Sequence, residues 1–399
     1  NPRNSILQAD VSDLEYTNTN YNTNFYANGF QFLNSTADWN ANNGNYIFLA
    51  IAANPDTSAP TKANSFNTLL YTGNDSNNRS ITGLGFKPDF LWIKRRVSGS
   101  ESHALYDSVR GPNLQLSSDT TGAEATNSGS YLGMSSFDSD GFNVGNNGGT
   151  NRAPHTYVAW AWKALDHDRN LAAINNEGSI PSVVSANSAA GFSIVTYSPN
   201  NTVGMTTGHG LSQAPQIVFS KRLDSAQDWG VYTNVSTGNT TTNWLSLNDS
   251  DAYGAGSFMT LNPTTLELPQ TGAFWASASS NQIAYCYHSV TGYSSIGTYT
   301  GNTSSTNTIN VGFAPSFLMV KRTDSSGSWR IYDRERDSGN LPQRIDHNLA
   351  ANSSGAEYDA TSGSTGYAWF SSTGFYFDTN QTNSDINANG GTYIYLAIA

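Results

Sequence analysis

Apolar residues of this chain fall in short runs, among them FLWIK, QIVFSK and FLMVK, and clusters of Gly, Asn and Ser bound each run. Aromatic and β-branched residues dominate the runs, so the pattern predicts strands separated by turns. Pro88, Pro215 and Pro315 each stand just ahead of such a run, where a missing N–H costs no ladder bond. Segment 165–181 holds charges and an LAAI stretch, too short for a stable helix alone, and reads as a linker into a hairpin of SVVSA and GFSIVTY. In the closing strands YIFLAIA, YVAWAWK, QIAYCYH and YIYLAIA, alternate residues face opposite sides. Large residues (Val158, Trp160 and Trp162; Ile283, Tyr285 and Tyr287; Ile394, Leu396 and Ile398) form one side, and the other always carries a small third residue, Ala50, Ala161, Cys286 or Ala397. This predicts a central strand whose large side fills a sandwich core, with the small side covered by a neighbouring domain, loop or chain. Cys286, in a position otherwise held by Ala, reads as a small buried hydrophobe rather than a nucleophile served by His288.

The runs repeat. GFKPDFLWIKRR, GLSQAPQIVFSKRL and GFAPSFLMVKRT each place Pro six positions before a Lys, and Arg follows each Lys (Arg95, Arg222, Arg322). The strands that follow end at Tyr106, Tyr232 and Tyr332, and Trp229 and Trp329 occupy a position that His103 takes in the first copy. The intervals, 221 − 94 = 127 and 321 − 221 = 100, exceed those of solenoids or propeller blades. They match whole β-sandwich domains of about 100 residues. The expected class is therefore all-β, with tandem antiparallel sandwiches at 64–164, 182–291 and 294–399, the linker at 165–181, and the C-terminal part of an incomplete unit at 1–56. Its missing half is expected upstream of Asn1 or from another chain, and a start at Asn rather than Met suggests a processed product or fragment.

Composition narrows function by exclusion. The 399 residues are only 12% charged yet contain 21 Tyr, 18 Phe and 9 Trp, which argues against both a helical bundle and a solvated coil. Lys and Arg total 19 against 30 Asp and Glu, a net charge of −11, so a general nucleic-acid binder is not expected. No apolar run is long enough for a membrane-spanning helix. One cysteine rules out an internal disulfide framework.

Candidate chemistry is sparse. Glu124 and Glu357 recur in register, in GAEA and GAEY, but the 182–291 unit has Asp251-Ala252 there. With no second acid recurring beside them, a structural role is expected over a hydrolase pair. The six histidines show no metal-ligand spacing, and neither a nucleophile elbow nor a phosphate-binding loop occurs. Phe137-Asp138-Ser139-Asp140-Gly141 resembles the opening of a calcium loop. Asp138 and Asp140 are thus candidate Ca²⁺ ligands, with an Asx-type turn as the preferred reading. Trp39, Trp244, Trp275 and Trp369 lie outside the recurring strands and are candidate sugar-stacking residues, weighed against core packing. The Lys-Arg pairs are expected at the surface, in ion pairs with neighbouring acids.

GFKPDFLWIKRR, HALYDSVRG, SFDSDGF, TYVAWAWKA, GFSIVTY, GFAPSFLMVKRTDSSGSW and the terminal GGTYIYLAIA together resemble the tandem domains of tail-fibre and other virion proteins of marine bacteriophages, cyanophages especially. The resemblance covers residues 29 to 399. It implies jelly-roll sandwiches like those of concanavalin-type lectins, carries no catalytic residues, and departs in the 182–291 unit, where Gln282 replaces the closing Tyr. The function it implies is a non-enzymatic virion structural protein, a tail fibre or surface appendage assembled in the host cytoplasm and carried on the extracellular particle. Its expected partners are copies of itself, as a homotrimer, other virion proteins and a host surface glycan. The alternatives are a lectin-like receptor-recognition module and, behind it, a tailspike-type polysaccharide depolymerase.

Overall fold

The computed structural model describes residues 5–6, 16–17, 23–26, 29–38, 40–46, 65–97, 99–127, 132–164, 173–235, 243–255, 259–268, 280–337, 339–361 and 365–399. Every described element is a strand, and all the strand pairings are antiparallel. Among these residues no helix is long and apolar enough to cross a membrane.

Each of the three repeats builds one large sheet of common order. In the first, Phe66–Thr72 pairs with the closing strand Thr156–Trp162, which pairs with Phe90–Arg95. Ala104–Asp107, Gly111–Leu116 and Ala125–Thr126 then follow. The third repeats this order from Ser294–Thr300 and Thr392–Ile398 through Phe317–Arg322 and Arg330–Asp333 to His347–Ala350 and Tyr358–Asp359. The second adds two strands beyond Phe192–Tyr197. Ser182–Asn187 pairs with it as the expected hairpin, and Ala173–Asn175, within the segment read as linker, pairs outside that. The closing strand is hydrogen-bonded on both edges in each of the three units, and its residues are buried on both faces. Of segment 1–56, the described parts include a hairpin of Thr23–Tyr26 and Gly29–Phe32; the closing-strand copy lies outside the described residues beyond Tyr46.

A smaller sheet lies against one face of each large sheet, completing a sandwich. The first unit uses Met134–Asp138, Gly141–Val144 and Arg79–Thr82. The second uses Thr206–Gly208, Thr265–Glu267 and Thr260–Leu261. The third has four strands, Asn307–Asn310, Gly374–Phe377, Ala368–Phe370 and Gln343–Ile345.

The expected assignment of the two faces is reversed. It is the small side of each closing strand that faces the unit's own second sheet: Ala159 and Ala161 meet Met134, Phe142 and Val144, and Ala397 meets Ile345, Phe375 and Phe377. Cys286 is fully buried in the same way among Met205, Leu266 and Leu268, and burial pushes its thiol up to about 12. The small residue leaves room for that second layer. The large sides of all three closing strands instead enter one shared core that contains Trp160, Tyr285 and Leu396. Rings cross all three junctions, with Phe90–Tyr285 centroids at 4.4 Å, Trp162–Phe317 at 5.7 Å and Phe219–Trp329 at 6.0 Å. At their meeting point lies a void of only about 10 Å³, lined by Phe90, Trp162, Tyr285, Phe317 and Leu396, so the core is packed nearly to completion. The three sandwiches are therefore not beads on a string. They close around a common apolar centre, and the small side of each closing strand, expected to be covered by a neighbouring domain, loop or chain, is covered by its own unit's second sheet.

Candidate functional site

The recurring polar residues gather where the units meet. Lys94, Lys221 and Lys321 end central strands but are fully buried, contrary to the expected surface placement. Lys94 Nζ donates to the Glu101 carbonyl in its own unit and to the Ser354 carbonyl of the third. Lys321 Nζ donates to the carbonyls of Ser250 and Asp251 in the second. Lys221 donates to Arg222 and Ser225 carbonyls of its own unit. Carbonyl acceptors let an ammonium leave water without an anion, but burial still lowers each amine from 10.5 to about 8. The partner arginines do meet acids: Arg95 with Glu101 at 3.6 Å, Arg222 with Asp224 at 2.6 Å and Arg322 with Asp324 at 3.0 Å.

A second set of bonds repeats around the ring. Trp329 Nε1 donates to the Ser246 carbonyl of the second unit, and Trp229 Nε1 donates to the Ser117 carbonyl of the first, each at 2.8 Å. His103, standing where the others have Trp, reaches the Ala350 carbonyl of the third through Nε2 at 3.0 Å. Its Nδ1 accepts from Trp92 Nε1, so the ring is the neutral Nε2–H tautomer. Burial, with Lys94 nearby, holds it well below the usual histidine range. The backbone follows the same cycle: Glu124 N–H donates to Leu223, Tyr253 to Thr323 and Glu357 to Arg96. First unit binds third, third binds second, second binds first.

Glu124 and Glu357 owe their recurrence to this ring. Arg110 joins Asp107 at 2.5 Å and Glu124 at 3.0 Å; Arg336 joins Asp333 at 2.6 Å and Glu357 at 3.0 Å. Burial raises the Glu357 carboxyl, but Arg336 and Arg96 outweigh it and hold the group below the ordinary glutamate value. The aspartates also accept across junctions, Asp333 from Trp160 Nε1 at 2.9 Å and Asp107 from the Tyr285 hydroxyl at 2.8 Å. Asp107, Asp333, Arg110 and Arg336 escaped the sequence reading, although Tyr-Asp-x-x-Arg recurs from Tyr106 and from Tyr332.

The structure separates the other candidates. Asp138 accepts from Ser136 Oγ and Asn143 Nδ2, whereas Asp140 accepts from the N–H groups of Gly83 and Gly85. Among the described residues, no three or more His, Cys, Asp or Glu gather as a metal site. Trp39 and Trp275 lie outside the described residues. Trp244 is half-buried against the second unit's outer core. Trp369 lies on the outward face of the third unit's small sheet, stacked on Tyr376 at 5.6 Å and 7°. Asp378 fixes that platform, accepting from Trp369 Nε1 at 3.1 Å and from the Tyr367 hydroxyl at 2.8 Å. Beside Tyr376 opens a groove of about 470 Å³. Tyr376 was missed because its run, GFYF, reads only as a strand.

These features define an all-β protein of antiparallel sandwich units closed into a ring by buried polar bonds, with an aromatic-edged groove on the outside. Residues 61–399 match the family described as "Domain of unknown function (DUF7483)", and the chain belongs to it. Neither the curated proteins nor the solved structures contain a match.

Proposed function

We propose that the chain is a non-enzymatic structural protein of a virion surface, a tail fibre or comparable appendage. The resemblance of its repeats to phage virion domains supplies the class. The observation that carries the reading is the ring itself: Lys94, Lys321, Trp229, Trp329, Asp107 and Asp333 all form hydrogen bonds from one unit to the next. A body whose three sandwiches share one core resists being opened one unit at a time, which suits a particle exposed outside the cell. Association with further copies, as a homotrimer, and with other virion proteins belongs to the same proposal. Antibody against the chain, applied to purified particles and viewed by electron microscopy, should label an appendage. Label confined to lysate free of particles would overturn the assignment. Light scattering of the pure chain at micromolar concentration should show trimers, and a monomer alone would remove self-association. Incubation with host polysaccharide should leave its molecular weight unchanged, whereas a fall would favour a depolymerase.

A second reading, lectin-like carbohydrate binding on jelly-roll units, is favoured by the stacked Trp369–Tyr376 platform beside an open groove. Aromatic faces and hydroxyl-bearing rims are the two means by which proteins hold sugars in water. Retention of any glycan at millimolar concentration tests it.

A further inference from the structure

The equivalent small sheets of the first and third units differ in their outward-facing residues. In the first, Ser80 and Ser136 stand opposite Asn143 on the outward face. In the third, Thr308 and Trp369 stand opposite Tyr376, and Arg344 lies opposite Trp369. The inward residues match, Phe142 with Phe375 and Val144 with Phe377, and all are buried. The fold therefore does not require the aromatic pair, since the first unit completes the same sheet with small polar side chains. The third unit also adds a fourth strand, Gln343–Ile345, and the residues just before it, Leu341 and Pro342, wall the groove. Thr306, Thr308, Ser371 and Ser372 supply hydroxyls around it, and none of the lining residues is charged. Arg344, the nearest cation along that row, is engaged by Asp346 at 2.8 Å, lies over the Tyr367 ring at 3.9 Å and donates to the Ala360 carbonyl.

From this contrast we infer that the groove of the third unit is a binding site for a neutral saccharide. The C–H face of a pyranose lies on the Tyr376 ring, which is stacked against Trp369, and its hydroxyls are met by the threonine and serine rim. A charged sugar would find no counter-ion among the lining residues. At about 470 Å³ the groove falls in the roughly 300–1,000 Å³ range of small-ligand sites and holds one to two sugar rings. This inference rests on the carbohydrate-binding reading and narrows it to one place and one class of glycan.

The test uses the full chain on an array printed with neutral hexose and N-acetylhexosamine oligosaccharides alongside uronate-containing ones, with retained glycans measured by titration calorimetry. Neutral glycans should be retained in preference to uronates. Tyr376→Ala should weaken binding at least tenfold, Tyr376→Phe should retain most of it, and Asn143→Ala on the first unit should leave it unchanged. Ser372→Trp, which fills the groove from its exposed rim, should abolish binding even if the alanine variant is poorly folded. If no glycan binds the unaltered chain, the carbohydrate reading and the inference fall together. If glycans bind equally well to Tyr376→Ala and Ser372→Trp, or uronates are preferred, that reading stands and this site or its specificity is wrong.

Discussion

The three junctions are built to one plan, yet two bury an aspartate–arginine pair and one does not. Where the first unit meets the third, Trp160 donates to Asp333; where the second meets the first, Tyr285 donates to Asp107. At the third junction the corresponding residues are Leu396 and Thr233, and the arginine position is Ser236. Donor, acceptor and counter-ion are thus present together or replaced together. The difference teaches that the aspartate is tolerated in the core only as part of a set, because a buried carboxylate stripped of its partners costs far more than an apolar substitute. Removing one member of a polar junction should accordingly be the most damaging change. Asp333→Ala leaves the buried Trp160 Nε1 without its acceptor and the buried Arg336 with Glu357 as its remaining carboxylate, and should cost about 3–5 kcal/mol in denaturant unfolding. Thr233→Ala at the junction without the aspartate–arginine pair should cost less than about 1 kcal/mol. Equal losses at the two positions would mean that the junctions are not different in kind.

The lysines are common to all three units and give the next largest effect. Their folded amines titrate at about 8, against 10.5 when unfolded. Below pH 8 both states are protonated and the burial penalty is fully felt. Between about 8 and 10.5 the unfolded chain binds protons that the folded one has shed, so stability must rise with pH, by up to about 1.4 kcal/mol per pH unit for each lysine. Above pH 10 the sign reverses, because buried tyrosines such as Tyr106, Tyr232 and Tyr285 are held above the ordinary value by burial and the unfolded chain ionises first. Melting temperature should therefore peak near pH 10, and Lys321→Met should flatten the rising limb. A melting temperature that falls steadily from pH 8 would show the amines to be stably charged in place.

Tyr285→Phe probes a polar junction more gently. It removes the hydroxyl from Asp107 but leaves Arg110 in place. A hydrogen bond to a charged group contributes about 1.5–3 kcal/mol, and chemical denaturation should register a loss in that range. No loss at all would mean that Arg110 alone satisfies the aspartate.

What the sequence made legible was whatever repeats locally. Strand positions, the all-β class, the SVVSA–GFSIVTY hairpin and the burial of Cys286 follow from alternation and from aligning one copy on another. Which side of the closing strand faces which layer did not follow. Alternation distinguishes two faces but not what covers them, and a large-residue side packs equally well in a sandwich or in a hub of three. The Lys residues misled for a related reason: a Lys at a strand end is ordinarily exposed, and the loop carbonyls that let these be buried, from the same unit and for Lys94 and Lys321 from a neighbouring one, are not visible in the local pattern. Trp369 was legible as an aromatic outside the repeats, whereas Tyr376 gains its meaning only from the strand beside it.

The smallest expected effect comes from Arg96, where the two polar junctions themselves differ. Glu357 is held by two arginines, Arg336 from its own unit and Arg96 from the first, the latter with contacts of 2.8, 3.0 and 3.2 Å. Glu124 has Arg110 alone, because the residue corresponding to Arg96 is Leu223. Arg96→Leu thus rewrites one junction in the form of the other. Arg96 lies partly exposed, with its side chain 17% accessible, so solvent screens the pair and the loss should be about 1 kcal/mol. Charge, not packing, should account for it: Glu357 would lose one of the two guanidiniums that depress it, so the stability lost on acidification below the ordinary glutamate value should be smaller than in the parent, and the difference between the two proteins should narrow as pH falls. If Arg96→Leu instead cost as much as Asp333→Ala, the second arginine would belong to the buried set, and the first-to-third junction would be the principal lock of the ring.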